Sequence, residues 1–203
     1  MKKTHRGCLM YTPIINDPAI AKDSESWLNK GVPPDPEAYN YFFLTYGESL
    51  AAWSGVESGL LSVFGLFINS KERESVRSSF YSLSGFRARL DLANSAIDAS
   101  RYIEYEKNDW QELYKKCLNK GKSRNKIAHG TIYYLHHEQN VHRRFFLAKP
   151  TNRQSRLYLA DLRMVRDGFR ELSREIHDFY GVTLENNSTT HIRKRIQVEY
   201  GAE

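Results

Sequence analysis

Nine positions dominate what this chain can fold into: Tyr39, Phe43, Tyr46, Leu50, Trp53, Glu57, Leu60, Phe64 and Phe67, spaced alternately four and three residues apart. That rhythm lines up side chains along one face of an α-helix, whereas a strand would send them to alternate sides. The start of the helix is equally legible. Asp35 can accept hydrogen bonds from the exposed amides of a first turn, and Pro36 at the first helical position gives up no bond there. Glu57 is the one charge on the stripe. It either meets a cation or donor from another helix or lies close enough to the edge to reach water.

The same period recurs downstream. A second helix of about 25 to 30 residues is expected from Lys71, with Val76, Phe80, Leu83, Leu90 and Ile97 on one face and Arg87 and Asn94 interrupting it. Arg87 is then a candidate partner for Glu57. A third helical segment is expected over 109–129, with Lys120, Gly121, Lys122 and Ser123 as a possible break and Gly130 as a stop. Two stretches rich in β-branched and aromatic residues, 131–135 and 144–148, flank the polar run 136–142 and predict a hairpin. A last helix over 160–180 carries Leu162, Val165, Phe169, Leu172, Ile176 and Phe179, with Gly181 expected to end it. The fold class is therefore mainly α, a bundle of four to five helices with a small β-hairpin after the third. Residues 1–34, with scattered prolines, read as an N-terminal arm, 35–182 as the helical domain, and 183–203 as a polar, basic C-terminal tail. No internal repeat is evident.

Composition narrows the function classes. Cys8 and Cys117 lie far apart and make no metal-ligand spacing, so neither a disulfide framework nor a zinc site is expected. No cofactor loop, serine-hydrolase elbow or zinc-protease helix is present. His136, His137, His142 and Glu138 are a weak metal candidate, better read as polar turn residues. The first residues lack the unbroken apolar run of a signal peptide, and no stretch reads as a membrane span, so a cytoplasmic protein without a membrane partner is expected. Charge points to a partner: between Leu113 and Ala160 stand eleven Lys or Arg and one acid, a net +10, against −4 for the rest of the chain. A field so one-sided concentrates polyanions, of which nucleic acid is the commonest.

Within that basic stretch lies Arg124-Asn125-Lys126-Ile127-Ala128-His129-Gly130. Arginine clamps a phosphate and stays charged, and histidine exchanges a proton near neutral pH, a pairing suited to cutting phosphodiesters without a metal. On one helix Arg124 and His129 point about 140° apart, so the arginine side chain must bend round, whereas Asn125 and His129 share a face. At a helix C-terminus His129 would favour its protonated form and suit a general acid. The spacing alone is common. Arg170 and His177 form a similar pair and read as solvent-facing residues.

With its Asn after the arginine and its place late in the third helix, RNKIAHG resembles the motif of the HEPN superfamily, an arginine followed after four to six residues by a histidine. The resemblance implies a compact helical bundle, commonly dimeric, and in many members a metal-independent endoribonuclease of toxin-antitoxin or phage-defence systems. It implies that Arg124 binds the phosphate, His129 transfers protons and Asn125 orients them in a composite site between two copies of the chain. Attack by the 2′-hydroxyl would leave a cyclic phosphate. Glu57 and Arg87 would support the site, Glu57 by holding Arg124, while Lys120, Lys122, Lys126, Arg143 and Arg144 would contact RNA. An antitoxin or defence-system protein is a possible further partner. Where a subgroup of the family carries a modifiable tyrosine two residues after the histidine, this chain has Thr131. Two alternatives stand beside the ribonuclease. One is a non-catalytic module that binds RNA or a protein, as inactive family members do; the other is a structural dimer in which Arg124 pairs with Glu57.

Overall fold

The computed structural model describes the backbone from Asp35 to Tyr200 except residues 71, 101–103, 136–137 and 150–151, and leaves the side chains of 104–106, 152–155 and 187–200 aside. The expected N-terminal arm and residues 201–203 lie outside the described residues.

Helix α1, Pro36–Ile68, begins where the sequence places it. Asp35 is extended, and its Oδ1 accepts the Ala38 amide at 3.0 Å. It ends at Asn69, which turns left-handed (φ 52°) and donates its amide to the Leu66 carbonyl. Trp53, Leu60, Phe64 and Phe67 of the apolar rhythm are buried, and Phe42, Val56 and Val63 widen the stripe. The opposite face carries no charge over Leu44, Gly47, Ala51, Ser54 and Ser58, all exposed. The length and apolar composition of α1 correct one expectation: it could cross a membrane by those measures, with a mean hydropathy of 1.4 over eighteen residues, 39% of them buried. The glycine and serines on that face interrupt any run of large apolar residues, yet they lower the average far less than charged residues would. The core helix of a bundle meets the same measure, and α1 is the helix against which α2 to α5 pack.

The single second helix of the sequence reading is two: α2, Arg73–Ser82, and α3, Phe86–Ala99. Gly85 stands between them at φ 91°, a conformation that side-chain-bearing residues rarely adopt. The break shifts the phase of everything after it, which is why Arg87 is not the partner of Glu57. Arg89 is: its Nη1 lies 3.5 Å from Glu57 Oε2, while Glu57 Oε1 accepts Trp53 Nε1 at 3.2 Å. Arg89 also donates to the Leu83 carbonyl and lies 5.0 Å from the Tyr81 ring, so it clasps the α2–α3 turn to α1.

Helix α4 runs unbroken over Glu104–Ala128, through the expected break at 120–123. After it, β1 (Thr131–Tyr134) and β2 (Phe145–Lys149) form the expected antiparallel hairpin, Thr131 opposite Ala148 and Tyr134 opposite Phe145, with a short 3₁₀ turn at Val141–Arg143 in the connection. A third strand, β3 (Asn152–Leu157), extends the sheet in the order β1-β2-β3. Phe145 and Leu147 enter the main core, while Phe146 and Ala148 join Tyr133 in a smaller cluster on the other face. Helix α5, Leu159–Tyr200, passes through Gly181 instead of stopping there. Beyond Phe179, which stacks on Phe67, Thr183 is still buried, and this packing carries the helix on into the expected tail.

Candidate functional site

Where the N-terminus of α3 approaches the C-terminal half of α4, Gly121 lacks the Cβ that would otherwise sit 3.2 Å from the Phe86 ring. Phe86 settles there, its centroid 4.5 Å from Trp53, and forms a wall of a cavity of about 690 Å³. Gly85, Phe86 and Arg87 line it from the α3 side, and Lys115, Leu118, Asn119, Gly121, Lys122, Arg124, Asn125 and His129 from α4 and its end. Four of these residues are Lys or Arg and none is Asp or Glu.

The three motif residues therefore border one space. Ile127, fully buried, fixes the phase of the last turn and leaves Asn125 and His129 exposed with Arg124 half-buried. Arg124 bends toward its neighbour, and Nη1 donates to Asn125 Oδ1 at 3.4 Å. His129 is held by its amide, which donates to the Asn125 carbonyl, and by Gly130 after it. A Cβ on Gly130 would lie 2.5 Å from Leu147 and 2.7 Å from the Lys126 carbonyl, so the chain passes from helix to sheet through a gap that admits hydrogen alone. Bundle and sheet together thus fix the backbone from which the imidazole projects.

The other expected site residues disperse. Lys122 lines the cavity and donates to Asn119. Lys126 is exposed outside the lining, and Lys120 lays its ammonium over Gly168 of α5. Arg144 is a structural clasp: it pairs with Asp35 and donates to the Glu138 carbonyl at 2.8 Å, tying the hairpin to the start of α1. Arg143, in the 3₁₀ turn of the connection, lies 5.2 Å from the Tyr158 ring. Glu57 is occupied by Arg89 and Trp53 and does not hold Arg124. Arg87 joins the cavity, and with it come Phe86 and Lys115, which the sequence reading passed over because they reach the motif only through tertiary contact. The second Arg/His pair is ordinary surface. Arg170 faces Glu48 and Asp167, and His177 Nδ1 lies 2.6 Å from its own helix carbonyl at Ser173.

Among the described residues no group of three or more His, Cys, Asp or Glu could hold a metal; His136 and His137 lie outside them. Compared with family models, curated proteins and solved structures, the chain matches none.

Proposed function

We propose that this protein is a metal-independent endoribonuclease of the kind its resemblance to HEPN proteins implies, serving toxin-antitoxin or phage-defence biology beside a cognate partner. The observation that carries the reading is that Arg124, Asn125 and His129 border one cavity whose charged lining is wholly cationic. Such a lining draws in a polyanion and stabilises the extra negative charge of a pentacoordinate phosphorus, the largest contribution in this class of reaction.

Arg124 binds the non-bridging oxygens of the scissile phosphate, and Asn125 restrains its guanidinium. The 2′-oxygen forms a bond to phosphorus as the bond to the 5′-oxygen breaks, leaving a 2′,3′-cyclic phosphate and a 5′-hydroxyl. With two copies facing one another, one His129 takes the proton of the 2′-hydroxyl and the other, as imidazolium, protonates the departing 5′-oxygen. Sedimentation of the native protein then returns the mass of two chains.

The test is incubation of purified wild-type and His129→Ala protein with mixed RNA in EDTA. Loss of a proton-transfer group lowers the rate by about 10²-fold or more with the fold intact. Cleavage by His129→Ala at the wild-type rate overturns the proposal, and salt-sensitive binding without scission by either protein assigns the cavity to a non-catalytic RNA-binding module.

A further inference from the structure

An arginine on the α3 wall of the cavity is held in a way that ordinary surface ion pairs are not. Arg87 Nε lies 2.9 Å and 2.8 Å from the two oxygens of Asp91, and its Nη2 donates to Tyr114 Oη at 2.9 Å. Tyr114 Oη donates in turn to Asp91 Oδ1 at 2.7 Å, closing a three-membered network between α3 and α4, the two elements that wall the cavity. An exposed pair one helical turn apart contributes only about 0.3–0.5 kcal/mol, so stability gives little reason for such bracing. What it does achieve is orientation. Nε and Nη2 are committed, the guanidinium plane is fixed, Nη1 makes none of these bonds, and the side chain stays 62% exposed on the cavity lining.

We propose that Arg87 is a second phosphate-binding residue of this cavity, holding a phosphate that flanks the scissile one, with Asp91 and Tyr114 as the positioning residues that pre-orient it. The inference rests on the ribonuclease reading and narrows its substrate class. The site takes a strand with consecutive phosphates, and a dinucleoside monophosphate, which has one phosphate, gains nothing from Arg87. An arginine fixed in advance loses less side-chain freedom on binding than a free one, so its N–H donors are worth more to the bound strand.

The test measures KM and kcat for a single-stranded RNA 12-mer and for a dinucleoside monophosphate, and anisotropy of the labelled 12-mer on the His129→Ala background. Arg87→Ala is expected to raise KM for the 12-mer about tenfold, the loss of one charge-assisted hydrogen-bonding partner, with kcat and the dinucleotide KM changed far less. Tyr114→Phe and Asp91→Asn raise the same KM by a smaller factor, and Arg87→Lys recovers part of the loss. Thermal melts check that each variant folds. If the wild-type protein cleaves and Arg87→Ala leaves the 12-mer KM unchanged, or alters both substrates equally, the inference is overturned and the ribonuclease reading stands. If the wild-type protein binds the 12-mer without cutting it and Arg87→Ala weakens binding tenfold, the phosphate contact stands and catalysis falls. Absence of any 12-mer binding overturns both.

Discussion

Cys117 faces the core of the bundle, fully buried, and burial pushes its thiol up to about 12, far from the range in which a thiolate forms at neutral pH. In a Cys8→Ser background the protein is therefore expected to react with a thiol reagent at pH 8 only as fast as the bundle opens, and at once in denaturant; immediate reaction of the native protein would place the sulfur at the surface. Glu57 makes a sharper case, because both its partners lose something when it goes. Arg89 and the Trp53 indole N–H, one-fifth exposed or less, would be left without their acceptor. Glu57→Ala should cost about 2 kcal/mol in urea unfolding, and the double variant with Arg89→Ala should cost less than the two single losses added. Asp91 brings pH into the same scale. Burial alone would raise its carboxyl, but the hydrogen bonds from Arg87 and Tyr114 outweigh that and hold it below the usual carboxylate range. The unfolded chain thus takes up this proton first as pH falls. The contribution of the brace is complete above the ordinary carboxylate range and is lost as pH drops through the depressed folded value.

Among the elements, the joint between α4 and β1 bears most directly on the site. Gly130→Ala forces its methyl against Leu147 and the Lys126 carbonyl, and an overpacked core position of this kind costs about 1–3 kcal/mol. Because the strain falls next to His129, the variant is expected to lose the proposed RNA cleavage at temperatures where its far-ultraviolet circular dichroism is still native; full activity there would separate the joint from the imidazole. The elements also differ in how far they could be read from sequence. The start of α1 was legible because the Asp35-Pro36 cap is a local device, and the β1–β2 hairpin because TIYY and FFLAK carry their own propensity. Strand β3, NRQSRL, has no apolar alternation to announce it and exists because β2 offers an edge. The α2–α3 break hid behind one glycine, and missing it turned the phase enough to exchange Arg89 for Arg87. Gly181 misled in the opposite sense, since a glycine ends a helix only where packing does not carry it on. The motif itself was legible as a string. Its cavity was not, because Phe86, Arg87 and Lys115 join it only once α3 lies along α4.

At the scale of the whole molecule, the +10 stretch between Leu113 and Ala160 is not one face but several commitments. Arg144 is consumed by Asp35, Lys116 by Glu175, and Lys120 lies over α5, whereas Lys115, Lys122 and Arg124 gather at the cavity with Arg87 opposite. If the protein takes RNA as proposed, total charge overstates how many phosphates it neutralises, and salt dependence measures the true number. For single-stranded nucleic acid, the logarithm of affinity falls with the logarithm of salt concentration by about 0.7 per phosphate neutralised. With Arg87 already offset by Asp91, three to four contacts give a slope of roughly −2 to −3 for the His129→Ala protein and a short RNA. Lys115→Ala and Lys122→Ala should each flatten that slope by about 0.7, while Lys120→Ala should leave it where it is. Arg144→Ala should lower the melting temperature instead, because it releases the hairpin from the start of α1. If the slope follows Lys120 and ignores Lys115 and Lys122, the RNA runs along α5 and not through the cavity that holds His129.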